Sequence, residues 1–139
     1  MDELLELHGV VEAPPDEVAG ILLDVRPGGR SPLATTGVAD PARGDVFTVT
    51  KDGSRLIVAV DRDALMVTVK GEWWYQCVTT VTPDDRGSLV SYRIFNVAPG
   101  QRWAVRFASR GPLNAAPADF AAQLAAVGSE LSCKAYALD

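Results

Sequence analysis

Only one histidine, His8, stands among the 139 residues, and the two cysteines, Cys77 and Cys133, lie far apart with no CxxC spacing. A histidine-rich metal site is therefore impossible, and a zinc or redox motif is unsupported; two reduced, small, buried hydrophobes are expected. A Ser-His-Asp or Cys-His engine would have to use His8, which shares strand parity with Glu6 and Glu12 and reads as solvent-facing. No GxSxG, Walker or GxGxxG pattern occurs, and Gly28-Gly29 belongs to a loop rather than to the opening of a helix, so a phosphate cradle is not expected. No apolar run approaches the roughly 20 residues that span a bilayer, and Met1-Asp2-Glu3 is acidic where a secretory signal would be basic. A cytoplasmic protein without a membrane span is the expectation. With 18 acidic and 13 basic residues the net charge is −5, which makes nucleic acid an electrostatically poor partner. Neither cofactor nor metal is expected.

What is present is a chain that is 47% hydrophobic and long enough to bury one core, so residues 1–139 read as a single domain. Leu5, Leu7, Gly9 and Val11 alternate with a more mixed set over 3–12, as on a half-buried strand. Pro14-Pro15-Asp16-Glu17 then opens a helix carrying Val18, Ile21, Leu22 and Val25, which stops before Pro27-Gly28-Gly29. Residues 26–44 read as a long connection with a short edge strand near 33–37. Five segments rich in Val, Thr, Ile, Tyr and Trp follow, at 45–50, 55–61, 64–71, 73–82 and 88–97, joined by short polar turns. Links this short require antiparallel neighbours.

The spacing of Trp103 with Phe107, and of Arg102, Arg106 and Arg110, predicts a short helix over 101–110. After Pro117 the strongest periodic signal appears: Phe120, Leu124, Val127, Leu131 and Ala135 form one stripe on an alanine-rich helix. A twisted sheet curls and must cover one face, and only this last helix is long enough to cover it. The expected fold is α+β, with a curved antiparallel sheet of about six to seven strands wrapped around a long C-terminal helix.

In this order of elements the chain resembles the START-related helix-grip superfamily (SRPBCC), which includes polyketide cyclase/dehydrase and lipid-transport-like proteins. The resemblance is carried by the opening strand running into Glu12-Ala13-Pro14-Pro15-Asp16-Glu17-Val18, by Thr82-Pro83-Asp84-Asp85-Arg86-Gly87 with Ser88-Leu89-Val90-Ser91-Tyr92-Arg93, and by the helix after Pro117. The chain departs from the pattern at 26–43, where members often carry a second helix. The resemblance implies a cavity between sheet and C-terminal helix for a hydrophobic compound such as a lipid, sterol or polyketide. It supplies no catalytic motif to carry over.

Period two fixes which side chains would face such a cavity. Val90, Tyr92, Ile94 and Asn96 form the inward set of the last long strand; Trp73, Tyr75, Cys77, Thr79 and Val81 form that of its neighbour; and Leu65, Val67 and Val69 extend the floor. The candidate ligand-binding residues are Val67, Val69, Trp73, Tyr75, Cys77, Val90, Tyr92, Ile94 and Asn96, with Phe120, Leu124 and Val127 from the helix. Tyr75, Tyr92 and Asn96 are the candidate polar handles and, in an enzyme, the candidate catalytic groups; as ordinary core residues they would do neither. Ala118, Ala121, Ala122, Ala125 and Ala126 either leave ligand space or only favour the helix. Trp74 and Trp103 read as an entrance, a dimer contact or core. Arg102, Arg106 and Arg110 offer an anionic group, such as an acidic carrier protein, a landing site, or else form a solvated face. Three functions follow: a binder of a hydrophobic small molecule, an aromatase/cyclase-like enzyme, or a non-liganded homodimeric interaction protein.

Overall fold

The computed structural model describes residues 2–34, 38–39, 44–51 and 53–138. Strand β1 (Asp2–Val11) leads into helix α1 (Pro15–Leu22), whose first position is a proline and whose first turn holds Asp16 and Glu17. The missing N–H of Pro15 leaves no ladder bond unmade there, and both acids meet the positive end of the helix. A two-residue strand β2 (Val38–Ala39) precedes the meander β3 (Val46–Lys51), β4 (Ser54–Asp61), β5 (Met66–Lys70), β6 (Tyr75–Asp84) and β7 (Gly87–Asn96). Helices α2 (Arg102–Ala108) and α3 (Arg110–Leu131) and a last strand β8 (Ala135–Ala137) complete the chain.

All eight strands join one antiparallel sheet in the order β2-β3-β4-β5-β6-β7-β1-β8. The edge at β8 is a strand of three residues, short enough to offer little template to another chain. The long β6–β7 pair runs from Tyr75↔Asn96 to Asp84↔Gly87, and its turn is held by Asp84, whose carboxylate accepts the backbone and side-chain N–H of Arg86 at 2.9 Å each. That pairing holds the Asp84 carboxyl below the usual carboxylate range, chiefly through the Arg86 side-chain hydrogen bond.

Three sequence expectations are corrected here. The last helix begins at Arg110, ahead of Pro117, because Pro112 falls in the first turn, where no intrahelical N–H is needed, and Pro117 faces solvent. Ala135 is not on the helix. Ser132, at φ 53° and ψ 45°, ends α3 in the left-handed region, and the chain folds back to pair Ala135 with Val11. This reversal needs glycine at 128, where a Cβ would stand 2.9 Å from the Cys133 carbonyl oxygen. The edge strand expected near 33–37 is not at Leu33, which lies in a turn closed by the Ala34 N–H on the Ser31 carbonyl at 3.0 Å; residues 35–37 lie outside the described set, and β2 follows them. Strand β8 adds to the segments read from the sequence, making eight strands among the described residues.

Helix α3 lies along β1, β8 and α1 with Phe120, Leu124 and Val127 buried beneath it. Gly9 permits this approach, since a Cβ there would stand 2.4 Å from Leu124 Cδ1 and 3.1 Å from the Tyr136 carbonyl oxygen. Gly9→Val is therefore expected to cost about 1–3 kcal/mol through overpacking. The cost should shrink when Leu124 is also changed to Ala, as measured by urea denaturation of the four corners of the cycle. Equal costs in both backgrounds would show that the helix does not press on Gly9.

Candidate ligand site between the sheet and the C-terminal helix

A cavity of about 230 Å³ opens between the inner sheet face and α3, lined by Pro32, Leu33, Leu56, Val69, Tyr75, Cys77, Thr79, Tyr92 and Gln123. Its floor is built by strand alternation. Val69 of β5 stands opposite Cys77 of β6, and Thr79 stands opposite Tyr92 of β7, so same-parity residues of three strands converge on one face. Gln123 reaches the cavity from α3, and Pro32 with Leu33 forms a wall from the segment after α1. That segment is folded, not open. Asp24 accepts the Arg30 backbone N–H at 3.1 Å and its side chain at 3.3 Å, while Arg30 also donates to the Gly20 carbonyl at 3.1 Å.

The polar part of the lining is a linked set. The side chains of Tyr75, Cys77 and Tyr92 interact with one another, and Thr79 adds a further interaction with Cys77. Burial, reinforced by the neighbouring thiol, pushes both phenols up from their ordinary value. Burial likewise raises the Cys77 thiol, against hydrogen bonds from Tyr92, Tyr75 and Thr79 that pull it down. The three groups therefore stay protonated at neutral pH. Such a set donates hydrogen bonds to a carbonyl or hydroxyl but accepts no proton from a substrate.

The sequence-derived candidates separate into two groups. Val69, Tyr75, Cys77 and Tyr92 border the cavity. Val67, Val90, Ile94, Phe120, Leu124 and Val127 sit in the close-packed core beside it, with the Phe120 and Tyr92 ring centroids 5.4 Å apart. Asn96 is buried at the end of β7, where its carboxamide oxygen accepts the Ala98 N–H at 3.0 Å, so it closes the turn leaving the strand. Trp73 lies outside the strand, half-buried, its indole N–H on the Gly100 carbonyl at 3.3 Å. Trp74 is buried against Tyr75 and does not mark an entrance. All five alanines, Ala118, Ala121, Ala122, Ala125 and Ala126, face solvent, and none of them lines this cavity.

Pro32, Leu33, Leu56 and Gln123 are not among the sequence candidates, and Thr79 enters only through its inward parity. Gln123 is legible in the sequence, because it stands three residues after Phe120 and four before Val127 and so shares their helix face. Nothing in the sequence marks Pro32 and Leu33, whose place depends on how the loop folds over the sheet.

Several polar and charged groups away from this cavity have local partners. His8 pairs with Glu6 at 2.8 Å on the outer side of β1. A second cavity of about 280 Å³ near the end of α1 is lined by Arg26, Arg30 and Arg62. Asp24 engages Arg30, Asp45 engages Arg62, and Arg26 donates to the Gly44 carbonyl while lying 4.3 Å over the Phe47 ring. Among the described residues no group of three or more His, Cys, Asp or Glu side chains is placed to hold a metal, and no helix is long and apolar enough to cross a membrane.

No protein-family model matches the chain, and no curated protein does. Solved structures are similar to it in shape. The protein TTHA0849 from Thermus thermophilus superposes with a TM-score of 0.50 at 13% identity, over 90% of this chain and 95% of that one. Ara h 8.0201 gives 0.47 at 16% identity, over 92% of this chain and 98% of that one. The likeness to the Thermus thermophilus protein, at 13% identity, bears on the fold alone, and the fold is α+β of the helix-grip kind: a curved antiparallel sheet holding a long C-terminal helix.

Proposed function

We propose that this chain is a binding protein for a compact, uncharged hydrophobic molecule, or for the apolar end of a lipid, sterol or polyketide-like one. The observation that carries the reading is the composition of the cavity wall: Leu33, Leu56 and Val69 on the apolar side, with neutral Tyr75, Tyr92 and Gln123 as hydrogen-bonding groups. Among the described residues no cation lines the cavity, which disfavours burying an anionic headgroup there. Its 230 Å³ falls below the roughly 300–1,000 Å³ of ordinary small-molecule sites, so a full-length lipid would leave part of itself outside. A single-domain cytoplasmic carrier or sensor fits this picture.

An aromatase/cyclase-like enzyme would use the same phenols to hold an enolate oxygen. It has less support, because among the described residues no carboxylate or imidazole borders the cavity to move a proton. The non-liganded dimer is disfavoured by the open volume, and an acidic carrier spanning Arg102, Arg106 and Arg110 by the engagement of Arg102 with Asp2.

Native mass spectrometry of freshly purified protein is expected to retain a neutral adduct. Val69→Trp, which fills the cavity from its floor, should abolish the adduct with the fold intact. Tyr92→Phe should weaken rebinding of that compound about fivefold to tenfold, the equivalent of one hydrogen bond. Binding that survives Val69→Trp unchanged would remove the cavity as the site. Conversion of a trial polyketide that Tyr92→Phe abolishes without loss of binding would favour the enzyme.

A further inference from the structure

Helix α2 departs from the rest of the surface in both charge and polarity. From Gly87 to Ala118 the sequence contains no Asp or Glu, although the whole chain carries a net charge of −5. Trp103 and Phe107, one helical turn apart, are 69% and 57% exposed. The three arginines spaced along this face do not act alike. Arg102 binds Asp2 of β1 and donates to the Ala98 carbonyl at 3.3 Å, which with the Trp73 bond to Gly100 holds the helix against the sheet. Arg106 and Arg110 make no ion pair among the described residues, and their guanidinium carbons lie 6.0 and 5.3 Å from the Phe107 ring centroid. The result is a firmly held helix presenting two aromatic rings flanked by two available cations.

We propose that α2 and the first residue of α3 form a docking face for an anionic lipid surface, with Trp103 and Phe107 entering the interface and Arg106 and Arg110 receiving headgroup phosphates. Charge complementarity selects the occupant. On an otherwise acidic protein, a helix that carries no acid of its own, together with two cations without an ion pair among the described residues, orients this face toward a negative surface and turns the remainder away. The projecting rings favour a bilayer over a protein. A folded partner would need a matching pocket for each ring, whereas the headgroup boundary accepts amphipathic aromatics without shape complementarity. With only two rings and two free cations, the docking is weak and reversible, which suits a protein that collects or delivers an apolar cargo. This deepens the binding reading given above, but its geometric basis is separate.

The test is sedimentation of the full chain with vesicles of phosphatidylglycerol and phosphatidylcholine in equal parts, against vesicles of phosphatidylcholine alone. Binding is expected on the anionic vesicles, at least about tenfold above the neutral ones, and lost in about 0.5 M salt. Arg106→Gln with Arg110→Gln should reduce it about twentyfold. Trp103→Ala with Phe107→Ala should reduce it by at least several fold. Both pairs should leave the native mass-spectrometric adduct unchanged, so that loss of docking and loss of the cavity ligand are read apart. Sedimentation that is equal with and without lipid, or insensitive to the aromatic pair, overturns the proposal. So does salt-sensitive binding to polyglutamate without binding to vesicles, which would assign the face to an acidic protein.

Discussion

Between pH 9 and pH 11 the protein is expected to lose about 3 kcal/mol of folding stability through its two buried phenols, with a further loss in the same direction from the buried thiol. The cause is the Tyr75, Cys77 and Tyr92 set, which burial keeps protonated in the folded chain. In the unfolded chain the thiol ionises near pH 8.5 and the phenols near 10, as in model peptides. Above those values the unfolded state binds fewer protons than the native one, so stability falls as pH rises, by about 1.4 kcal/mol per pH unit for each phenol. Urea denaturation at a series of alkaline pH values reads the slope directly. Tyr92→Phe keeps the ring against Phe120 but removes one ionisable group, so its slope above about pH 10 should be shallower by about 1.4 kcal/mol per unit. Cys77→Ala should be shallower from about pH 8.5 upward. Identical slopes in all three proteins would mean that these groups titrate freely in the folded state.

Phe120→Ala is expected to destabilise the protein by about 3–5 kcal/mol, lowering Tm by roughly 10–20 °C. The ring is 2% exposed and covers Tyr92, so its removal opens a void beside the ligand cavity and also forfeits the ring contact. On the opposite face of the same helix, Ala122→Lys should change stability by less than about 0.5 kcal/mol, since that position faces solvent. Thermal unfolding followed by circular dichroism compares the two. A small effect at Phe120 would place the helix off the sheet and undo the grip.

The alternation in β6 and β7 was legible because each residue there has only two sides to choose between, and one apolar side must be buried. The same reasoning failed where a boundary depended on context. Pro112 and Pro117 are ordinary stop signals, yet one occupies a first turn and the other an exposed position, so neither ends the helix. Ala135 continued the helical period by coincidence, since the sequence does not display the left-handed turn at Ser132 that carries the chain back to β1.

The sequence by itself determined the order of elements, the inward parity of the long strands and the buried stripe of α3, because these follow from local periodicity and the cost of exposing apolar surface. Tertiary structure alone decided which part of that inward face stays open. The cavity is the space left after Leu124 meets Gly9 and after the 23–34 segment is tied down around Asp24, contacts between residues remote in sequence that no local pattern encodes. For the same reason Tyr75 and Tyr92 emerge beside a void, whereas Asn96, of the same parity, closes a turn. It likewise decided that Arg102 is engaged while Arg106 and Arg110 are not, because only the folded sheet brings Asp2 within reach of α2.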